Sequence, residues 1–463
     1  MAANVGTIEH MSSTEQAVAF RALLAALDTA GSDAELIDEI TALEQIKTAI
    51  SARQARLTDA FAVSQRAELI KAGVKPVDAR RSVCAQIGLA RRDSPHRGNL
   101  HVGLAHTLVH EMPRVLQVME RGEASEWRAT LIARETAHLS VEHRARIDAA
   151  IADHLPGWSD QHTAQQARGW AHRLDPNGAA DRARKAVTDR RVTIRPAPDC
   201  MTYLTALLPM KEGVSVYGAL HRAAMTANGT ADDHRSKGQV MADELIARVM
   251  TATAGDPERP AIELHLIMTD RALADDDPEP AYLLGYGPVP AAIARDLITT
   301  DQHTRIWIRR LFTHPDTGDL LTTDARRRDF PPAARVFLAA RDQLCRTPWC
   351  GAAIRQADHA VAFSKGGPTT LTNGNGRCTT CNLVKDLDGW TTRVDDTGII
   401  STTTSTGHAH AGRPPNPPES APWAPRPRIR RPAETGQPAL RIEIHWPAQK
   451  FSRPVTRSSP PDR

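Results

Sequence analysis

The chain has 463 residues, of which 41% are hydrophobic and 24% are charged, as in soluble globular proteins. Because a single hydrophobic core seldom serves so long a chain, we expect two or three domains. There is no apolar run of about 18 residues, and residues 1–16 lack the charged and apolar segments of a secretion signal. The sequence therefore predicts a cytoplasmic protein with no membrane partner.

The positive charge is concentrated at the C-terminal end of the chain. The formal net charge is +4, but residues 411–463 contain ten Lys and Arg against four Asp and Glu, so the remainder is slightly acidic. The same segment holds 13 of the 32 prolines. This composition predicts a disordered basic tail over residues 411–463, and such a tail favours a polyanionic partner such as nucleic acid.

Residues 15–335 are predicted to form a mainly α-helical domain with some strands (α+β), preceded by a flexible segment at residues 1–14. Aromatic residues are few, at 4%, and alanine is abundant, which favours helices over an all-β fold. Apolar residues recur at steps of mostly three and four along the first long helix. They are Leu36, Ile40, Leu43, Ile46, Ile50, Leu57 and Phe61. We expect this face to pack in a helical bundle or to form a dimer seam, with an N-cap near Ser32.

Three histidines, His101, His106 and His110, follow at spacings of five and four residues. The spacing of four places two imidazoles on one helical face, which is compatible with metal binding. No cysteine and no cluster of carboxylates accompanies them in the sequence. We therefore interpret them as surface or core histidines rather than as metal ligands.

Shorter elements are predicted in the rest of the chain. Alternating or apolar runs predict strands over residues 191–198, 200–209 and 261–268, and a two-stranded region over residues 304–323. Helices are predicted over residues 213–227, 239–250 and 331–345, and a small hairpin over residues 391–405. A further N-cap is predicted at Ser140.

Four of the six cysteines form two pairs, Cys345 with Cys350 and Cys378 with Cys381, separated by 27 residues. Without a secretion signal, paired cysteines at this spacing favour a metal site over disulfides. Four thiolates can close a tetrahedral zinc site that leaves no open position. The sequence therefore predicts a structural Zn²⁺ that clamps the segment.

A second group of polar residues lies between and just after the cysteine pairs. It contains Asp358, His359, Asn373 and Asn382, with a turn at Gly366–Gly367. A neutral imidazole can remove a proton from water, and carboxylate and amide oxygens can hold a hard divalent cation on a phosphate. These residue types suit phosphodiester hydrolysis. Neighbours on a strand point to opposite faces, so a local distortion is expected where Asp358 and His359 share one site.

These elements together resemble the HNH endonuclease motif in its His-Asn-Asn form, with a four-cysteine zinc clamp. The matching residues are Cys345, Cys350, Asp358, His359, Gly366, Gly367, Asn373, Cys378, Cys381, Asn382 and Lys385. The resemblance implies a small ββα-metal domain over residues 336–410. It further implies that His359 is the general base and that Asp358 and Asn382 bind a catalytic Mg²⁺ or Mn²⁺. Asn373 would hold the loop that orients the histidine.

The rest of the chain is similar to bacterial proteins of the domain of unknown function 222 family, which often carry an HNH module at the C-terminus. The similar segments include residues 112–140, 285–298, 314–321 and 334–350. Many members have histidine where Cys381 and Asn382 stand here. Cysteine is an equally good zinc ligand, and asparagine supplies an oxygen in place of a nitrogen. The resemblance informs the fold of the large domain and leaves its role open.

The sequence thus predicts a metal-dependent endonuclease whose expected substrate is double-stranded DNA. Lys365, Arg377 and Lys385 are the expected phosphate contacts. One alternative is a DNA-binding or scaffolding protein with a catalytically silent zinc module. Another is an RNA-directed or mobile-element nuclease with the same chemistry. Oligomeric state and protein partners are left open.

Overall fold

The structure is a computed structural model that describes residues 12–227, 234–252, 265–274, 277–299, 328–395, 397–413 and 415. The described residues belong to one compact unit, Met1–Glu419. The strands expected over residues 304–323 lie outside the described residues, as do nearly all of the expected tail and most of the expected flexible N-terminus.

The first part of the chain is helical, as expected. Its helices are α1 (Ser13–Ala25), α2 (Asp33–Lys71), α3 (Pro76–Ala90), α4 (Pro95–His106), α5 (Pro113–Glu120), α6 (Glu126–Thr136), α7 (Val141–Ile151), α8 (Asp160–Leu174) and α9 (Pro176–Ala186). A π-helical turn (Thr107–Glu111) joins α4 to α5, and 3₁₀ turns follow α7 (Ala152–Gly157) and α9 (Val187–Asp189). The expected N-caps at Ser32 and Ser140 are confirmed, because each side chain accepts a hydrogen bond from the third amide of its helix. None of the described helices is long and apolar enough to span a bilayer.

The main hydrophobic core lies around α5, the shortest helix of this group. Its buried side chains come from the turn before α5, from α5 itself, and from α6, α7 and the turn after α7. They include Leu108, Met112, Val115, Leu116, Met119, Ile132, Ile147, Ile151 and Leu155. Asp148 on α7 accepts hydrogen bonds from the amides of Arg114 and Val115, at 2.9 and 2.8 Å. This buried carboxylate satisfies the N–H groups at the start of α5 that have no helical partner.

The long helix α2 contributes a face of small residues to this core. Thr48, Ala52 and Ala55 are buried there, whereas Ile40 is 61% exposed and Leu57 is 53% exposed. Small side chains allow the neighbouring helices to approach closely. Much of the apolar stripe that the sequence predicts on α2 is therefore exposed, although Phe61 at its end packs against a smaller buried cluster with Leu69 and Val83.

The central segment contains short strands between helices. The antiparallel hairpin β1 (Arg191–Pro196) and β2 (Thr202–Leu207) confirms the first two expected strands. It is followed by α10 (Met210–Ala227), α11 (Lys237–Ala252), β3 (Leu266–Ile267), α12 (Asp270–Ala274), β4 (Ala281–Leu283), β5 (Gly287–Val289) and α13 (Ala291–Thr299). Strands β3, β4 and β5 form a second antiparallel sheet, in the order β3-β4-β5.

The C-terminal segment contains the cysteine pairs. It comprises α14 (Pro332–Asp342), β6 (Gln356–His359), a 3₁₀ turn (Phe363–Lys365), β7 (Gly374–Arg377), α15 (Thr379–Lys385), β8 (Thr391–Val394), β9 (Ile400–Thr403) and β10 (Ala409–Gly412). Strands β6 and β7 form an antiparallel hairpin that leads directly into α15, and β8, β9 and β10 form an antiparallel sheet. The expected helix before the cysteines and the expected hairpin after them are both confirmed.

Helix α3 packs directly against this C-terminal segment. Ala85 and Leu89 form a buried cluster with Val384 and Trp390. The indole N–H of Trp390 donates to Ser82 Oγ at 2.9 Å, although the two residues are 308 positions apart. Helix α3 therefore connects the helical part of the chain to the end of α15.

Replacing Ser82 by alanine should leave the buried Trp390 N–H without an acceptor and lower the free energy of unfolding by about 1–3 kcal/mol. Urea denaturation followed by tryptophan fluorescence measures this change. Ser64→Ala, at an exposed position on α2, is the matched control and should change stability by less than about 0.5 kcal/mol. Full additivity of Ser82→Ala with Trp390→Phe would contradict the contact, since both variants remove the same hydrogen bond.

Candidate functional site

The two cysteine pairs meet in one cluster. The Sγ atoms of Cys345, Cys350, Cys378 and Cys381 all lie within 4.8 Å of one another. Cys350 Sγ lies 3.8 Å from Cys378 Sγ and 3.5 Å from Cys381 Sγ. All six cysteines of the chain are free thiols. The expectation of a metal cluster rather than disulfides therefore agrees with the geometry.

Local backbone structure places each pair. The amide of Cys345 donates to Ala352 O at 2.8 Å, which folds the first pair into a tight loop. Cys378 is the N-cap of α15, and its Sγ accepts a hydrogen bond from the Cys381 amide at 3.4 Å. The first pair therefore comes from a loop and the second from a helix start.

The cluster has the donor set and dimensions of a closed zinc site. Two thiolates on a tetrahedral zinc ion with Zn–S bonds of ~2.3 Å lie ~3.8 Å apart, close to the separations observed here. A hydrogen bond from Cys350 lowers the pKa of Cys345, whereas proximity to Cys345 raises the pKa of Cys381. Four thiolates so close together cannot all be ionised unless a cation offsets their repulsion. These cysteines could therefore hold a metal ion such as zinc.

Two buried arginines lie beside the cluster. The side chain of Arg346 is 3% exposed, and Arg377 is 1% exposed. Nε and Nη1 of Arg346 and Nη2 of Arg377 are buried without a hydrogen-bond partner, and the two arginines are sequence neighbours of Cys345 and Cys378. A zinc ion with four thiolates carries a net charge of −2, which these two cations would offset.

A buried carboxylate at the end of α14 supports the same region. Asp342 accepts hydrogen bonds from the Gly376 amide at 2.6 Å and from Arg341 Nε at 2.8 Å, and its side chain is fully buried. Arg341 in turn donates to Gly374 O at 2.8 Å. Sequence reasoning missed Asp342, although it lies four residues after the buried Leu338 and hence on the same face of α14.

Asp358 and His359 lie at the end of β6, paired with Asn375 and Gly374 of β7. Asp358 Oδ1 accepts a hydrogen bond from the His359 amide at 2.7 Å and lies 3.5 Å from His359 Nδ1. The Asp358 carboxylate therefore points towards His359, the residue that follows it. The structure brings the two side chains together without the strand distortion that the sequence predicted.

The imidazole of His359 is enclosed. It is 4% exposed, and its Nε2 lies 2.8 Å from the Oγ1 of the buried Thr369. The ring lies 4.7 Å from the ring of Phe330 and 5.8 Å from that of Phe363. Thr369 was missed, and no local signal in the sequence identifies it.

Asn373 secures the loop between β6 and β7. Its Oδ1 accepts from the Val361 amide at 2.9 Å, and its Nδ2 donates to Val361 O and Pro368 O at 3.0 and 2.9 Å. Gly367 approaches Val361 O so closely that a Cβ atom would lie 1.8 Å from it, which explains the glycine at this position. The loop that carries Thr369 is therefore fixed relative to His359.

Asn382 lies on α15, opposite β6. Its Nδ2 donates to Gln356 Oε1 at 2.8 Å, while its Oδ1 is buried and has no hydrogen-bond partner. One turn later, Lys385 Nζ lies 3.1 Å from Asp358 Oδ2. Gln356 and Asp358 are two positions apart on the strand and so share a face. Helix α15 therefore presents Asn382 and Lys385 to the same face of β6.

The charge of Asp358 is balanced by Lys385. Burial opposes its ionisation, but the Lys385 ammonium and the hydrogen bond from the His359 amide outweigh burial and lower the pKa of Asp358. The side chain of Lys385 is 2% exposed and also lies 2.8 Å from Asp386 Oδ1. Among the described residues, no third carboxylate, histidine or cysteine joins Asp358 and His359 at metal-ligand distance.

The three expected phosphate contacts differ in their placement. Lys365 is exposed on the 3₁₀ turn. Arg377 is buried and donates to Asn375 Oδ1 and Thr347 Oγ1, at 2.6 and 2.8 Å. Lys385 is also largely buried, so both cations make contacts within the fold. A cleft of about 190 Å³ is lined by residues that include Lys365, Lys385 and Arg393.

Replacing Cys378 by serine should remove one equivalent of bound zinc and destabilise the C-terminal segment, because metal binding supplies folding free energy. Elemental analysis of the purified protein measures the metal, and limited proteolysis measures the local unfolding. Cys200→Ser removes an exposed free thiol and should change neither. Equal zinc content in both variants would contradict the proposed site.

One protein-family model matches the chain, over the part that precedes the cysteine cluster. A family model described as a domain of unknown function, DUF222, matches residues 45–342, which end at the last residue of α14. No HNH family model matches the chain. No curated protein and no solved structure matches it either. Because the match extends over more than half of the chain, this protein is a member of the DUF222 family.

Proposed function

We propose that this protein is a metal-dependent endonuclease of the HNH type that hydrolyses phosphodiester bonds in DNA. The observation that carries the proposal is the face between β6 and α15. It combines the ionised carboxylate of Asp358 with the unpartnered Oδ1 of Asn382, and the imidazole Nδ1 of His359 lies 3.5 Å from Asp358 at the end of the strand. The order of hairpin and helix, fastened by four cysteines, agrees with the ββα-metal fold that the motif implies.

The buried Oδ1 of Asn382 is the most specific support for a cation. A buried acceptor without a partner costs about 1–3 kcal/mol, and a bound ion, a ligand or an ordered water can satisfy it. Asp358 and Asn382 offer oxygen atoms, the ligands that Mg²⁺ and Mn²⁺ prefer. These two residues would hold the ion, which when bound would neutralise charge on the scissile phosphate and leaving oxygen.

His359 would act as the general base. In the tautomer with a proton on Nε2, the ring donates to Thr369 Oγ1 and leaves the Nδ1 lone pair on the side of Asp358. Asn373 keeps the loop of Thr369 in place, so it would act as a positioning residue. Because Phe330 and Phe363 cover the ring, access for water requires a displacement of Phe363, which is 39% exposed.

Lys385 occupies the position from which a cation would approach Asp358. Its second acceptor, Asp386, lies at 2.8 Å and allows the ammonium group to move without losing an ion pair. Lys365 and Arg393 are exposed on the neighbouring cleft and would contact DNA phosphates. The basic excess of residues 411–463 supports a nucleic acid as the partner.

A catalytically silent DNA-binding or scaffolding protein is the second candidate. Two observations favour it: His359 is 4% exposed, and Lys385 already neutralises Asp358. In that case Asp358, Lys385 and Asp386 would form a structural ion-pair network. The four-cysteine cluster would serve the same structural purpose in both candidates.

Cleavage of supercoiled plasmid in the presence of Mg²⁺ or Mn²⁺ distinguishes the two candidates. His359→Ala should lower the rate by about 10²–10⁴-fold, because it removes the proton acceptor. It should retain the zinc content and DNA affinity of the parent protein. His408→Ala, at an exposed position outside the ββα segment, is the control and should cleave normally.

Each outcome of the plasmid experiment is informative. Nicked or linear product that is lost in His359→Ala establishes the nuclease and its base. Undiminished cleavage by His359→Ala refutes the role of the histidine. DNA binding without cleavage by the parent protein in either metal supports the scaffolding candidate.

A further inference from the structure

Three side chains outside the cysteine cluster converge at the surface of the helical domain. Asp59 of α2 lies between His106, the last residue of α4, and His110 in the π-helical turn. His110 Nε2 lies 2.7 Å from Asp59 Oδ2, and His106 Nδ1 lies 3.5 Å from Asp59 Oδ1. One ligand atom from each residue lies within 4.8 Å of the others.

The backbone explains why the two imidazoles meet. Residues four apart on a helix share a face, and the ring centroids of His106 and His110 lie 4.7 Å apart. The helix changes from α to π between them, and such π turns occur often at functional sites. Asp59 reaches both rings from the buried face of α2, 51 positions before His110.

We propose that Asp59, His106 and His110 bind a divalent transition-metal ion of the zinc class. Ligand atoms ~2.0–2.1 Å from a tetrahedral ion lie ~3.3 Å from one another. His106 Nδ1 and Asp59 Oδ1 lie close to that separation, at 3.5 Å, whereas His110 Nε2 and Asp59 Oδ2, at 2.7 Å, would move apart by ~0.6 Å on binding. Two imidazoles and one carboxylate suit zinc and its neighbours, whereas Mg²⁺ and Ca²⁺ select oxygen ligands.

The site is open on one side. The side chains of His106 and His110 are 60% and 47% exposed, whereas that of Asp59 is 10% exposed. Three protein ligands leave a tetrahedral ion one position for water or a small ligand. This distinguishes the site from the four-cysteine cluster, whose ligands fill every position.

His101 shows what a structural histidine on the same helix looks like. Its Nε2 lies 3.0 Å from Asp93 Oδ2, its Nδ1 lies 3.0 Å from an Arg91 nitrogen, and its side chain is 10% exposed. Both ring nitrogens are occupied within the fold, so our interpretation of a satisfied histidine fits His101. His106, in contrast, has a long contact to one carboxylate and faces solvent.

Zinc binding to the untagged full-length protein tests the site. Elemental analysis after dialysis against zinc should show two equivalents per chain in the parent protein and in His101→Ala. It should show one equivalent in His106→Ala and in Asp59→Asn, with the second binding weakened at least about tenfold. Because His106 is exposed, its replacement should leave the fold intact, which circular dichroism verifies.

The experiment also separates this site from the cysteine cluster. Cys378→Ser should lose the other equivalent of zinc. The equivalent that it still binds should be lost when His106→Ala is added to it. A single equivalent in the parent protein would refute the proposal, as would two equivalents in His106→Ala. Displacement of the second zinc by a modest excess of Mg²⁺ would refute the assigned metal class.

A different observation concerns the exposed face of α2. Leu36, Leu43, Ile50 and Leu57 repeat every seven residues over ~32 Å of helix, on the side opposite the buried Ala52 and Ala55. Leu43, Ile50 and Leu57 are 37%, 42% and 53% exposed. Residues seven apart lie on one stripe of a helix, and two helices can pair along such a stripe.

The charges along α2 indicate the partner and its direction. Residues 33–46 contain five acidic side chains and no Lys or Arg, whereas residues 47–66 contain four basic side chains and one acidic one. We infer that two copies of this chain pair through α2 in antiparallel orientation. This arrangement places the acidic half of each helix beside the basic half of the other, whereas parallel pairing would place like charges together.

Sedimentation analysis of the full chain tests the pairing. The parent protein should be a dimer, and Leu43→Asp with Ile50→Asp should make it a monomer. Leu100→Asp, at a residue that is 55% exposed on α4, is the control and should leave the dimer intact. A monomeric parent protein, or a dimer that persists in the double variant, would refute the inference.

Disulfide trapping tests the orientation in a Cys200→Ser background. Glu39→Cys combined with Arg53→Cys should form an intermolecular disulfide between positions 39 and 53, whereas Glu39→Cys alone should not. Efficient cross-linking of Glu39→Cys alone would show parallel pairing instead.

Discussion

Mutual repulsion among four thiolates is the constraint on which the C-terminal part of this protein depends. Cys345, Cys350, Cys378 and Cys381 lie within 4.8 Å of one another, so they can be ionised together only around a cation. The cluster joins a loop to the start of α15 and thereby sets the position of that helix. Asn382 and Lys385 face β6 because of this arrangement.

The same region illustrates how a candidate active site is built from structural contacts. Asp342 ties α14 to β7, Asn373 fixes the loop after β6, and Thr369 meets the ring of His359. Helix α3 then covers the end of α15 through Trp390. The DUF222 domain thus contributes directly to the surroundings of the cysteine-clamped segment, although its family match ends at residue 342.

Much of the fold could be predicted because its signals are local. Cap residues, the helix before Cys345 and the strands β1 and β2 follow from residue spacing and side-chain pattern, whereas the ββα order was expected from the resemblance to the HNH motif. The clustering of the cysteines was predictable too, because cysteine pairs at this spacing in a chain without a secretion signal favour a metal site over disulfides. The burial of Arg377 and Lys385 could not be predicted, because the sequence of a motif is the same whether its cations contact a phosphate or groups inside the protein.

The sequence by itself determined that the chain is largely helical, that its cysteines cluster and that Asp358, His359 and Asn373 accompany them. Only the tertiary structure decided which side chains meet across long separations. Asp59 completes a group with His106 and His110 although it lies on another helix, and α2 buries Ala52 and Ala55 while Leu43, Ile50 and Leu57 of its apolar stripe remain exposed. The physical reason is that periodicity reports which residues share a face, whereas the packing of helices decides what that face contacts.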